Sequence, residues 1–364
     1  MLISPELKQT TIPSKVAIII PVMNRAEFIE RQLKYYSSVN CAHPIYIADG
    51  STGAYAQEME SMVKKWNGRL AIHLKNKPQS PIDVSILDML NNVVEQYACI
   101  IGDDDFQIPS SLTKCTEFLD AHPDYSSAHG HGVTIRIKDN AVYGPVTKIK
   151  DYPQPQYESA RASERVLEFF NRYYVSLFSV GRTREMHEFW EHAGKSPDVQ
   201  FSCEIIPCAL MLAHGKSKLI DVLGFVRQIH DRHKPVPNYF DWITEPGFSS
   251  VYHLYEQSLA GEIAQQDTIP IEDARTCARQ GFWLFLHTQM QQDYHARFPA
   301  STPSQKTIRQ RLATLPWLTR IYRRIKPYLK KNLPLHAEVT RPGSAYFEDF
   351  ENLINIISHY QSEP

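Results

Sequence analysis

The chain has almost no net charge and no run of membrane-spanning hydrophobicity. Across 364 residues, 39 Lys and Arg oppose 40 Asp and Glu, so no overall field favours nucleic acid or an acidic partner, and any charge effect has to be local. No window approaches the ~18 apolar residues of a membrane span, and Met1 to Ser14 lacks the apolar centre of a signal peptide. The six cysteines, at 41, 99, 115, 203, 208 and 277, include no C-x-x-C pair. Such scatter argues for reduced, mostly buried thiols rather than a disulfide frame, and the chain is expected to be cytoplasmic. There is no internal repeat and no low-complexity tract.

Two nucleotide-binding signatures are also missing. A dinucleotide fold would carry G-x-G-x-x-G after the first strand, where this chain has Pro21-Val22-Met23-Asn24-Arg25. Gly215-Lys216-Ser217 resembles the end of a P-loop, but the position of its earlier glycine holds Leu210. Both classes are excluded.

What is present is a series of apolar runs that end in polar turns. Lys15 to Val22 is nearly uninterrupted and largely β-branched, as in a strand covered on both faces. Asn24 can cap the following helix, marked by Phe28, Ile29, Leu33 and Tyr36. Pro44 to Ala48 is a second strand, closed by Asp49-Gly50-Ser51-Thr52-Gly53, and Tyr55, Met59, Met62, Val63 and Trp66 mark a helix stopped by Gly68. Leu70 to Leu74 is a third strand, followed by a helix through Val84, Leu87, Leu90, Val94 and Tyr97. The fourth strand, from Ala98, ends in Gly102-Asp103-Asp104-Asp105. Four strand-then-helix units in about 120 residues predict an α/β fold with a mostly parallel, right-handed βαβ sheet.

From Ser126 the texture changes. His129, His131, Val133, Ile135 and Ile137 alternate with small or polar residues, which predicts a half-exposed strand. Tyr143 to Tyr157 reads as a long loop, Ser163 to Arg172 as a helix and Tyr174 to Val180 as a strand. Helices over Arg184 to His192 and Phe201 to His214 follow, then two short apolar runs, 219–223 and 225–230. Past Pro235-Val236-Pro237 the pattern is helical, with segments near 248–265, 271–297, 305–333 and 347–360. The expected organisation is therefore 1–125 and 126–235 as two halves of one domain, and 236–364 as a C-terminal helical region.

The acidic turn carries the chemistry. Three adjacent carboxylates repel one another and are stable only when something cationic, usually a divalent metal, offsets their charge. Open α/β sheets bind ligands at the carboxyl ends of their strands, where this turn would lie. The plainer reading is an acidic turn that caps the next helix.

A strand ending in P-x-x-N-R, a second ending in Asp49-Gly50-Ser51 and a fourth ending in Asp103-Asp104-Asp105 together resemble the family-two type of glycosyltransferases with the A-type (GT-A) fold, in a small bacterial and archaeal branch. The resemblance covers roughly residues 15 to 235. It implies a nucleotide-diphospho-sugar donor lying over the strand ends. Asp49 would hydrogen-bond the base or ribose, Pro21, Asn24 and Arg25 would form the pocket wall, and Asp103 and Asp104 would contact the nucleotide. The acidic motif corresponds to the family's D-x-D element, with a Mn²⁺ or Mg²⁺ held by Asp103, Asp105 and His230. Which two of the three aspartates serve the metal stays open. Glu204 stands at the family's catalytic carboxylate, with Asp198 as runner-up, and a helix-start glutamate favoured by the dipole is the plain alternative.

Lys75, Arg182 and Arg227 are available to balance phosphate charge, Lys75 being the one assigned to the donor pocket. His129 and His131 are lesser candidates for an acceptor or metal role. The expected reaction is sugar transfer to a glycan or lipid-linked glycan hydroxyl by inversion, in surface polysaccharide synthesis. The basic, aromatic stretch 317–331 either rests one face on an anionic leaflet or packs on the catalytic domain. Two rivals remain: a sugar-phosphate nucleotidyltransferase, whose glycine-rich loop after strand one is missing, and a non-catalytic carbohydrate-binding scaffold.

Overall fold

The computed structural model describes residues 15–230, 238–298 and 333–358. Its centre is β1 (Val16–Val22), whose apolar residues are buried on both faces because parallel neighbours flank it and helices cover it. One neighbour is β2 (Ile45–Asp49), with β3 (Ile72–Asn76) beyond it, and the other is β4 (Tyr97–Ile100), all parallel. The register aligns Val22 with Asp49 and Asp49 with Asn76, so these strands deliver their polar turns to one level. Helices α1 (Ala26–Ser38), α2 (Gly53–Trp66), α3 (Ile82–Leu90) and α4 (Pro109–Ala121) provide the connections, with β5 (Phe106–Gln107) following the acidic turn.

The second half extends the same sheet through β6 (Tyr125–Ile137), β7 (Val146–Tyr152), β8 (Val180–Arg182) and β9 (Lys216–Gln228). The order of the nine strands is β3-β2-β1-β4-β8-β6-β9-β5, with β7 on β6. Strands β1, β2, β3, β4, β6 and β9 run one way and β5, β7 and β8 the other, which makes the sheet mostly parallel.

Four expectations are corrected here. The strand from Ser126 is buried rather than half-exposed, lying between β8 and β9 beneath α4. Its small residues make room for neighbours and do not signal solvent: a Cβ on Gly132 would sit 2.4 Å from the Phe225 ring, and one on Gly130 would sit 2.6 Å from the Gly224 Cα. The expected loop 143–157 contains β7, an edge strand whose exposed Lys148 and Lys150 keep that edge wet. The expected strand 174–180 is irregular until Val180, and the two runs 219–223 and 225–230 join into the single strand β9.

Because Gly130 and Gly224 meet backbone to backbone, rotating the nearby Ser111 hydroxyl away would not relieve the clash in Gly130→Ala. It is expected to destabilise the fold by about 1–3 kcal/mol, read as a lower melting temperature with unchanged secondary structure.

Helices α5 (Ala162–Asn171), α6 (Thr183–Ala193) and α7 (Ile206–His214) follow the predicted spacing, and α8 (Tyr239–Thr244), α9 (Phe248–Asp267) and α10 (Ile271–Arg297) complete a helical layer. An aromatic core of Phe169, Phe170, Phe201, Tyr255, Phe282 and Phe285 joins α5 and α7 to α9 and α10. The C-terminal helix Phe347–Ser358 instead returns to the sheet, burying Phe350, Leu353 and Ile357 in the same core as β1 and α1. The expected helix 305–333, including 317–331, lies outside the described residues. Among the described residues, no helix is long and apolar enough to cross a membrane.

Candidate functional site at the carboxyl ends of the strands

Asp49, the last residue of β2, is buried and both its oxygens are engaged. Oδ1 accepts the Ser51 backbone N–H at 2.9 Å, and Oδ2 accepts the Asn76 amide at 2.9 Å. Asn76 donates as well to the Ser51 carbonyl at 3.0 Å. The β1 turn is tied in by the Asn24 N–H, which donates to the Ser51 hydroxyl at 2.8 Å while Asn24 adopts a left-handed φ of 56° that asparagine tolerates. Arg25 then reaches from this turn to the acidic one. Its Nη1 donates to Asp103 Oδ1 at 2.7 Å and its Nη2 to Asp104 Oδ2 at 3.3 Å. Asn24 and Arg25 thus join three strand ends into one unit.

All three aspartates of the acidic turn are buried. Burial, with Asp104 beside it, pushes Asp103 up to about 8 despite the opposing pull of Arg25. Burial likewise pushes Asp105 up to about 6, although Arg227 and the Gln228 N–H favour its charged form. The turn is held from beneath by α1: Arg31 donates to the Asp104 carbonyl at 2.8 Å, and the Gln32 amide donates to the carbonyls of Gly102 at 2.8 Å and Asp105 at 2.5 Å. Arg31 is fully buried, and burial lowers it to about 10 even with the three carboxylates nearby.

The three acids face different partners. Asp105 Oδ1 accepts the Gln228 N–H at 2.8 Å and its Oδ2 accepts Arg227 Nε at 3.1 Å, so both oxygens anchor the turn to β9. Asp103 and Asp104 face Arg25. His230, just past β9, places Nε2 at 2.7 Å from Asp104 Oδ2 and 3.2 Å from Arg25 Nη2. A ring nitrogen can donate to the carboxylate or accept from the guanidinium, but not both. A hard divalent cation accepts lone pairs from carboxylate and imidazole alike, so this donor set suits Mn²⁺ or Mg²⁺. Among the described residues, no group of three His, Cys, Asp or Glu forms a ready-made cage. That is compatible with Mg²⁺-type sites, in which one or two carboxylates share the ion with phosphate and water.

Glu204 lies in a single π-turn, Phe201–Ile205, that precedes α7, rather than at the start of a regular helix. Such turns often mark functional positions. Its Oε1 accepts the Tyr173 hydroxyl at 2.5 Å and the Gln200 amide at 3.1 Å. Burial raises its pKa, while Tyr173, Arg227 and Gln200 pull it down. For Arg227 itself, burial favours the neutral form, but Asp105 overrides it and raises the pKa. Arg227 lies over the Phe178 ring at 4.6 Å and the Tyr152 ring at 5.3 Å, and it acts electrostatically on both Asp105 and Glu204. It therefore connects the acidic turn to the candidate base.

The remaining expectations fall elsewhere. Asp198 uses Oδ1 to accept the Phe201 N–H at 2.9 Å and Oδ2 to accept the Trp242 indole at 2.8 Å, which makes it a cap for the π-turn and an anchor for α8. Lys75 pairs with Asp88 at 2.7 Å, since the strand pleat that turns Asn76 toward Asp49 turns Lys75 away. Arg182 donates to the Leu119 carbonyl at 2.8 Å and the Tyr97 hydroxyl at 3.1 Å. Pro21 lies in β1, in register with Ala48. His129 is buried against the carbonyls of Gly130 and Pro155, and burial pushes it down to about 4. His131 pairs with Asp221 at 3.0 Å, on the carboxylate that also accepts the Tyr346 hydroxyl.

Sequence reading missed Asn76, Arg31, Gln32, Gln228 and Tyr173. Two of them left a signal: Arg31 and Gln32 fall between Phe28 and Tyr35 on the buried face of α1, and polar residues on an apolar stripe require partners. Asn76 was hidden because β3 ends two residues later than its apolar run suggests.

Fold and site together define a mostly parallel α/β protein whose candidate ligand site is built from acidic turns at the carboxyl ends of its strands. No protein-family model matches the chain, and no curated protein matches it. Among solved structures, the chain is similar to S. aureus TarS 1–349, with 13% identity and a TM-score of 0.47, covering 94% of this chain and 90% of that one. It is also similar to TarS 1–349 in complex with UDP-GlcNAc, with 13% identity and a TM-score of 0.47 over 95% of this chain and 93% of that one. A third is the mannosyltransferase PcManGT from Pyrobaculum calidifontis in complex with GDP-Man and Mn²⁺, with 14% identity and a TM-score of 0.41 over 95% of this chain and 86% of that one.

Proposed function

We propose that this chain is a glycosyltransferase that moves a sugar from a nucleoside diphosphate donor to an acceptor hydroxyl, with inversion at the anomeric carbon. The observation that carries the reading is the linkage of Asp49, Arg25 and the Asp103–Asp104 pair at neighbouring strand ends, with Arg227 extending that unit to Glu204. A carboxylate pair beside a guanidinium suits a sugar diphosphate, whose hydroxyls donate and whose phosphates accept.

In this reading, the half 1–125 holds the donor and the half 126–235 presents the acceptor. Asp49 and Asn76 fix the β2 turn against the base or ribose. Asp103 and Asp104 face the ribose and the diphosphate, and Asp104 with His230 would hold a Mn²⁺ or Mg²⁺. Asp105, which the resemblance also offers as a metal ligand, has both oxygens engaged by β9. When bound, the dication neutralises charge growing on the departing diphosphate. Glu204 takes the proton from the acceptor hydroxyl as that oxygen attacks the anomeric carbon. Tyr173 and Gln200 orient Glu204 and favour its ionised form against burial, and Asp198 sets the π-turn that carries it. A surface polysaccharide or lipid-linked glycan, assembled in the cytoplasm or at the inner membrane face, is the proposed acceptor.

The test is a melting-temperature screen of UDP, GDP and their sugar conjugates with and without Mn²⁺. At a ligand concentration of 100 times Kd, binding to the native state adds about 2.7 kcal/mol. A diphosphate-dependent shift that grows with Mn²⁺ and disappears in Asp104→Asn is the expected result. A shift with nucleoside triphosphates and sugar phosphates alone would point to nucleotidyl transfer, and no shift with any nucleotide would remove the enzymatic reading.

A further inference from the structure

We propose that Arg25 is a displaceable stand-in for the divalent cation, one that makes metal uptake conditional on the donor's diphosphate. The inference rests on the reading of the acidic turn given above and concerns what Arg25 does before the donor arrives.

The guanidinium lies among the groups assigned to ligand and metal. Nη1 is 2.7 Å from Asp103 Oδ1, and Nη2 is 3.3 Å from Asp104 Oδ2 and 3.2 Å from His230 Nε2. A cation within hydrogen-bond distance of both carboxylates and the imidazole excludes a second cation by occupancy and by charge repulsion. The other two arginines of the cluster are built in differently. Arg31 is fully buried with carbonyl and amide partners on three sides. Arg227 binds an aspartate that a backbone N–H also grips, and it is enclosed by two aromatic rings.

Arg25 stands instead at the non-helical residue that opens α1, with its side chain 27% exposed. One face of its guanidinium lies 4.0 Å from the centroid of the Phe28 ring, a surface along which it can slide without losing stacking. Among the described residues, its hydrogen-bond partners are Asp103, Asp104 and His230, the groups it would release.

An arriving diphosphate offers Arg25 a better partner, because its phosphate oxygens match the guanidinium fork bidentately. Moving to the phosphates removes the guanidinium from Asp104 and His230 and brings added negative charge to the same place. Metal and nucleotide then raise each other's affinity, and by linkage the two enhancements are equal. Arg25 is the positioning residue that supplies part of this coupling, and the free protein keeps its acidic turn neutralised without a loosely held metal.

The test measures Mn²⁺ binding directly, from the electron paramagnetic resonance signal of free Mn²⁺, alone and with saturating UDP or GDP. Wild-type protein should bind Mn²⁺ weakly alone and at least about tenfold more tightly with a nucleoside diphosphate. Arg25→Met keeps the stem over Phe28 and removes the charge. It should bind Mn²⁺ alone about tenfold more tightly than wild type, bind the diphosphate more weakly, and show a smaller enhancement between the two. Arg25→Lys keeps a charge and should retain weak metal binding, which separates charge from folding effects.

If Arg25→Met binds Mn²⁺ alone no better than wild type while keeping the full enhancement, the stand-in role is wrong though the enzyme reading survives. If wild-type protein binds no Mn²⁺ even with UDP or GDP, the functional reading fails and this inference with it.

Discussion

Glu204→Gln is expected to lower kcat by roughly 10²–10⁴-fold while leaving nucleoside diphosphate affinity within about twofold. The substitution keeps the shape of the side chain and its capacity to accept from Tyr173 and Gln200, but removes the ability to take a proton. With Glu204 acting on the acceptor as proposed, the donor complex should form normally and stall. Equal losses in binding and turnover would instead mean that Glu204 is a structural residue of the π-turn.

The same carboxylate sets the acid limb of the rate profile. A general base works only when ionised, so kcat should fall as pH drops through the Glu204 pKa, which burial places above its ordinary value of 4.5. Tyr173→Phe deletes a hydrogen bond that favours the ionised form. The limb should then move to higher pH, with little change on the plateau. A limb unmoved by Tyr173→Phe would assign it to another group.

The second large effect runs in two directions at once. Asp103→Asn should raise the stability of the ligand-free protein while weakening nucleoside diphosphate binding. Burial and Asp104 raise the folded-state pKa of Asp103 from 3.8 to about 8. The folded protein therefore binds the proton more tightly than the unfolded chain does, and folding is favoured at low pH. As pH rises from about 4 to 8, this group's contribution turns unfavourable, because the unfolded chain releases the proton first.

Asparagine removes that penalty, offset in part by the lost pairing with Arg25, for a net gain on the order of 1–2 kcal/mol at neutral pH. The gain corresponds to a melting-temperature rise of about 2–5 °C. Stability given up at a functional site in return for ligand binding is a familiar trade. Thermal unfolding at pH 5 and pH 8, with and without a nucleoside diphosphate and Mn²⁺, reads both halves. A lower melting temperature at pH 8, or undiminished nucleoside diphosphate binding, would refute the assignment.

Much of the donor side was legible because its signals are local. An apolar run followed at once by Asp49-Gly50-Ser51, or by Asp103-Asp104-Asp105, places carboxylates at a strand end whatever the rest of the chain does. Helix bounds were equally accessible where apolar spacing was regular, as in α10, whose limits coincide with those expected. The errors cluster in the second half. Small residues on β6 imitate the alternation of a solvent-facing strand, yet they are small because Phe225 and Gly224 press against them. Whether such a position faces water or another backbone is not a property of its own neighbours in sequence.

The division of labour among the acidic residues was of the same kind. Sequence alone established that strand ends carry three consecutive aspartates, a lone Asp49 and an Asn-Arg turn, because residue type and spacing need no knowledge of what lies across the crevice. Only the tertiary structure decided that Asp105 is held by Gln228 and Arg227, that Asp103 and Asp104 face Arg25 and His230, and that Asp198 is a cap. Each of those roles depends on a partner in a distant part of the chain. Hydrogen bonding and electrostatics act over a few ångströms of space, so a residue's function follows from whichever segments the fold brings within that distance.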